Sequence, residues 1–111
     1  MDSREKGKRG ERELANILKM YGFNTRRGQQ FCGANGDADV VGLPGVHIEC
    51  KRVERLDLSK AMAQAKADAK PGEAPAVFHR RNNERWLVTV PIETFMALYQ
   101  HYYAACGKEE K

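Results

Sequence analysis

The sequence predicts an α/β fold: a single domain with a central mixed sheet of about five strands flanked by helices. Three observations carry this. Apolar residues recur at helical spacing near both ends, at Leu14, Ile17, Leu18 and Tyr21 and again at Ile92, Phe95, Met96, Tyr99, Tyr102 and Tyr103. A third helical stretch, rich in alanine, lies between them. Short β-branched and apolar runs bounded by Gly, Pro and Asn fill the intervals. With 111 residues and 41% hydrophobic content, the chain suits one domain with one modest core.

Residues 1–9 are polar and basic and are expected to be flexible. The first helix is expected from Gly10, with Gly22 as its C-terminal stop. Residues 23–27 read as a short strand. Residues 28–37 carry three glycines and an Asn-Gly, so they read as a loop. Residues 38–43 and 46–52 are the next two strands. Leu43-Pro44-Gly45 between them is a turn signal, because proline presets φ and glycine tolerates φ > 0. These two strands should form an antiparallel hairpin. A helix over 58–70 follows, with Asp57 or Ser59 as N-cap and Pro71-Gly72 as its end. Residues 76–79 and 86–90 read as strands around the polar turn 80–85. Pro91 opens a last helix reaching about Ala105, and the charged tail 107–111 is expected to be flexible. The order is α-β-β-β-α-β-β-α, with no internal repeat or linker.

Composition narrows the function classes. A net charge of +4 favours a polyanionic partner without proving one. No apolar run is long enough to cross a bilayer, and the N-terminus has no apolar segment of the secretory kind. Cys32, Cys50 and Cys106 form neither a disulfide framework nor a zinc pattern. A reducing cytoplasm is therefore the expected setting.

The chemistry concentrates between Asp39 and Lys51. Side chains alternate along a strand, so Glu49 and Lys51 share a face while Ile48, Cys50 and Arg52 take the other. Cys50 is expected to be a small core residue. Positions 39 and 49 are equidistant from Pro44, so the hairpin folds Asp39 beside Glu49. Two adjacent carboxylates among apolar neighbours repel unless a cation lies between them. Such hard oxygen ligands suit Mg²⁺, with Mn²⁺ able to substitute. Asp39, Glu49 and the Cys50 backbone carbonyl would suffice as protein ligands. Lys51 could orient the attacking water or neutralise a phosphate. The plainer alternative is an ion pair to Lys51 on a solvated sheet face.

Ala38-Asp39 with Glu49-Cys50-Lys51 resembles the PD-(D/E)xK nuclease motif, with Ala38 in place of the nominal proline. Lys8-Arg-Gly-Glu11-Arg12-Glu13-Leu14, Tyr21-Gly-Phe23, Arg27-Gly28, Asp39-Val-Val and Ile48-Glu49-Cys-Lys51 resemble archaeal-type Holliday junction resolvases and related small phage nucleases. The likeness covers residues 8 to about 55. It implies a restriction-endonuclease-like fold, Mg²⁺-dependent hydrolysis of DNA phosphodiesters, branched DNA as partner, and a homodimer. It also implies that Glu11 joins the active site, directly or through water, and that Arg27 contacts the DNA backbone.

Around this motif, Glu13 is a weaker alternative to Glu11, and Asp37 competes with Asp39. Arg12 is expected to hold phosphate. Arg26 lies on the opposite face from Arg27, and one of the two is expected to touch phosphate while the other is a solvated surface charge. Gln30, in the loop entering the Asp39 strand, and Arg80 and Arg81, in the basic turn, are candidate DNA contacts. Gln64 on the middle helix is an accessory candidate, and Lys60, Lys66 and Lys70 could track phosphates along it. His47 shares the Glu49 face, with general-base and structural roles both open. Trp86 could open a core strand or stack on a base. The last helix could pack its tyrosines in the core or against a second copy. Two other functions stay open: a flap or single-strand nuclease of the same fold, and a non-catalytic basic DNA-binding module.

Overall fold

The computed structural model describes residues 3–29 and 38–106. Its elements are α1 (Ser3–Met20), β1 (Arg26–Arg27), β2 (Val40–Val41), β3 (Val46–Arg52), α2 (Leu58–Asp68), β4 (Ala74–Arg80), β5 (Leu87–Thr89) and α3 (Ile92–Ala105). The expected element order is thus present. The five strands form one sheet in the order β1-β2-β3-β4-β5. β3 and β4 are parallel and the other neighbours antiparallel, which makes the sheet mixed. α2 supplies the crossover that a parallel pair requires.

Alternation along β3 divides the core in two. Ile48 and Cys50 point to one face, where they pack with Leu14 and Ala15 of α1, Val40, Ala76 and Phe78. Val77 points to the other, against Ala61 and Ala65 of α2. Glu49 pairs in parallel register with Val77 and therefore lies on the α2 face, with His47 and Lys51 on either side.

The hairpin between β2 and β3 closes as its residues require. Val46 N donates to Leu43 O across the turn, and Gly45 has φ 79° after Pro44. Val40 pairs with Ile48, a register centred on Pro44 that sets Asp39 opposite Glu49 one step outward. Gly42, at the end of β2, has φ 106°, and a Cβ there would lie 2.2 Å from the Asn24 carbonyl oxygen. Only glycine lets β2 pass the entry to β1 so closely.

Several boundaries differ from the sequence expectation. α1 begins at Ser3 rather than Gly10, so residues 3–9 are helical rather than a frayed lead. Gly10 is not a start signal: a Cβ there would meet the Arg52 Cβ at 2.8 Å, so the glycine marks where α1 crosses β3. Tyr21, expected on the buried stripe, is 75% exposed because the helix ends at Met20 and the chain turns at Gly22. β1 and β2 are only two residues each, and α2 ends at Asp68 rather than 70. β4 extends through Arg80, two residues earlier and one later than expected.

α3 decides between the two roles left open for its tyrosines. None of its residues is buried, and Phe95, Met96, Leu98, Tyr99, Tyr102 and Tyr103 are all exposed. The tyrosines do not fill the core. They stack along the helix, with Phe95–Tyr99 and Tyr99–Tyr103 ring centroids 6.2 and 6.1 Å apart. Trp86, by contrast, packs against the core on the α1 face.

Candidate functional site

Asp39 sits just before β2 and is held at three points, two on β3 and one at Gly28 after β1. Its amide donates to Ile48 O, its carbonyl accepts from Gly28 N, and its Oδ2 accepts from Cys50 N at 2.8 Å. The carboxylate therefore does for the Cys50 amide what a ladder carbonyl otherwise would. This fixes its orientation toward the middle of β3. Asp39 and Glu49 are each only 8% exposed. Carboxylates are rarely that buried without compensation.

Glu49 shows the consequence. Its pKa is pushed up to about 7, first by burial and then by the negative charge of Asp39. Lys51 opposes the rise, while Asp68 and Glu11 add to it. Glu11, on α1, is also raised, mainly by burial. A hydrogen bond from Arg27 Nε, at 2.9 Å, opposes this, and the charge of Asp39 adds to it. The Cys50 thiol is held protonated by burial and by Asp39. It is a core residue, with only its backbone available to the site. Glu11, Asp39, Glu49 and Lys51 thus form one electrostatic cluster drawn from α1, the hairpin and β3.

The flanking residues divide into three groups. Gln64 and Lys60 of α2 line a groove of about 280 Å³ together with Lys51 and Arg55. Arg26 is exposed beside Arg27, and Arg81 is exposed with Glu84 as its ion-pair partner at 3.4 Å. Arg12 pairs with Glu5 on the surface of α1 at 3.3 Å. Gln30 and Asp37 lie outside the described residues.

Arg80 is placed differently from the expectation. It is the last residue of β4, not part of the turn, and its side chain is 16% exposed. Its guanidinium is bound to Glu13 at 3.2 Å and to the Glu84 carbonyl at 2.9 Å. Glu13 also faces Arg52 at 3.6 Å. Glu13 is therefore the clasp between α1 and the ends of β3 and β4, which separates it from the Glu11 cluster.

One acidic residue near the site escaped sequence reasoning. Asp68 ends α2, and its carboxylate, Glu49 and His47 bring one ligand atom each within 4.8 Å of one another. Gln64 Nε2 donates to Asp68 Oδ2 at 2.7 Å. Nothing in an alanine-rich helix marks its final aspartate. Only the α2 crossover brings it over Glu49. Among the described residues no helix is long and apolar enough to cross a membrane.

No protein-family model matches the sequence, and no curated protein matches it significantly. The structure is similar to that of Hjc, a Holliday junction resolvase from the archaeal hyperthermophile Archaeoglobus fulgidus. The TM-score is 0.52 and the identity 23%, over 77% of this chain and 72% of that one. At that identity the likeness establishes the fold: a restriction-endonuclease-like mixed sheet with helices on both faces.

Proposed function

We propose that this protein is a divalent-metal-dependent DNA endonuclease that hydrolyses phosphodiester bonds in branched DNA, in the manner of a Holliday junction resolvase. One observation carries the reading. Asp39 and Glu49 are both buried, lie opposite each other across the hairpin, and have Lys51 one step along the same sheet face. The donor set fits a hard dication, because two such carboxylates are mutually repulsive without one, and Glu49 is raised to about 7 for that reason among others.

Asp39, Glu49 and the Cys50 carbonyl would hold Mg²⁺, with Mn²⁺ as a substitute, and Glu11 would complete the acidic set directly or through water. The bound ion supplies Lewis acidity, stabilising charge on the phosphate and acidifying water. Lys51 would orient the attacking water and offset the phosphate's charge. Glu11 holds the Arg27 guanidinium at 2.9 Å, which would present a cation to the backbone beside the reacting phosphate. Lys60 and Arg55 extend that positive edge along the groove next to Lys51. Arg12, Arg26 and Arg81 are exposed and suited to further phosphate contacts.

Cutting two strands symmetrically needs two copies of the site. The apolar face of α3 and the exposed Leu87 and Val88 of β5 are available to a second copy. The test is incubation of the purified protein with four-way, flap and duplex DNA, with and without Mg²⁺. Paired nicks in the four-way junction are expected. Cleavage of flaps or single strands alone would move the substrate within the same fold. Salt-sensitive binding with no product from any of them would leave a non-catalytic binding module instead.

A further inference from the structure

A second set of ligands lies around Glu49 on the α2 face of the sheet. His47 is two residues before Glu49 on β3 and is only 4% exposed. Its Nε2 is 3.5 Å from Glu49 Oε1, yet it makes no hydrogen bond among the described residues. A buried ring nitrogen left this way costs about 1–3 kcal/mol. Its Nδ1 faces Glu73 Oε1 at 3.8 Å, and that oxygen is held by the Lys70 amide at 2.9 Å. A carboxylate on the Nδ1 side favours a proton there and leaves the Nε2 lone pair open, the arrangement common behind metal-bound histidines.

Asp68 adds a second unfavourable placement. It is the last residue of α2, where the helix dipole presents its negative end, and it aims at another carboxylate. Gln64 holds it there from one turn earlier. An orphaned imidazole nitrogen and two crowded carboxylates converge on one point. A cation at that point would reverse both penalties.

We propose that His47 Nε2, Glu49 and Asp68 form a second cation site, which takes a first-row transition-metal ion such as Zn²⁺ or Mn²⁺ in preference to Mg²⁺. The imidazole sets the preference, since nitrogen ligands suit Zn²⁺ and its neighbours whereas Mg²⁺ favours oxygen and water. Glu49 has two oxygens and is shared between this site and the one facing Asp39. Glu73 and Gln64 are positioning residues, orienting His47 and Asp68.

The experiment is calorimetric titration of the metal-free full chain with Zn²⁺ under excess Mg²⁺, with ¹⁵N-histidine NMR as the second readout. Wild type should bind one Zn²⁺ per chain and shift the His47 Nε2 resonance. Asp68→Asn and His47→Gln should each weaken that binding by at least about tenfold, and Glu5→Gln, on the surface of α1, should leave it. Asp68 is exposed, so its variant keeps the fold even if the buried His47 variant does not. Zn²⁺ binding that is absent, or that survives both Asp68→Asn and His47→Gln, would overturn the site; survival would point to donors such as the exposed Cys106. The outcome is independent of cleavage: failure to cut DNA with Mg²⁺ bears on the nuclease reading alone.

Discussion

Glu49 makes metal-free stability depend on pH in an unusual direction. Its carboxyl titrates near 7 in the folded chain, against an ordinary 4.5. Folding therefore favours the protonated form. The carboxyl adds no penalty below about 4.5, and the penalty grows as pH rises through 7, where ionisation must occur in a buried site beside Asp39. At 1.36 kcal/mol per pH unit of difference, the full loss is about 3 kcal/mol. Glu11 tilts the same way, since its pKa is also raised. His79 tilts the opposite way, since burial lowers its pKa and folding favours its neutral form. The informative quantity is therefore the difference between wild type and Glu49→Gln. In EDTA, urea denaturation at pH 5 should show the Gln variant ahead by no more than about 1 kcal/mol. At pH 8 the Gln variant should be more stable by about 2–3 kcal/mol. Added Mg²⁺ or Mn²⁺ should stabilise wild type at pH 8 and erase most of that gap. A gap that does not widen between pH 5 and pH 8 would refute the account of Glu49 as a buried, repelled carboxylate.

Three further outcomes follow from the geometry. Asp39→Asn and Asp39→Ala should both lower cleavage by on the order of a hundredfold or more. Only the alanine, which orphans the Cys50 amide, should also lose about 1–3 kcal/mol in denaturation. Gly42→Ala should destabilise by about 2–4 kcal/mol, from its positive φ and the Asn24 carbonyl; a shift under about 0.5 kcal/mol in urea unfolding would contradict the close approach. Sedimentation should find a dimer that Tyr99→Glu weakens by at least about 2 kcal/mol, and a monomeric wild type at high concentration would remove the α3 surface from the dimer proposal.

The motif was legible because it is local. Pro44-Gly45 closes a tight turn, and the strand period alone then sets Asp39 opposite Glu49 and Lys51 on the same face. The two outer helices were legible from apolar spacing and α2 from its alanines. What lay hidden depends on distant partners. Arg80 reads as a turn cation until β4 carries its side chain to Glu13, 67 residues away in sequence. Nothing in the sequence marks Asp68 until the crossover lays α2 over His47. Gly10 reads as a helix start, whereas it records how closely α1 crosses Arg52. The stripe on α3 was visible, but periodicity shows only that a helix has an apolar face, not which surface that face meets.

That last helix has a bearing on time as well as on shape. A helix of 14 residues is marginal in water on its own, and α3 has no buried residue to hold it. Its backbone amides should therefore exchange with solvent far faster than those of β3 and β4, through openings that leave the sheet untouched. Slow exchange in α3 would mean that its aromatic face is covered in solution. The exchange lifetime of those amides thus reports directly on how often the surface around Tyr99 stands open to water.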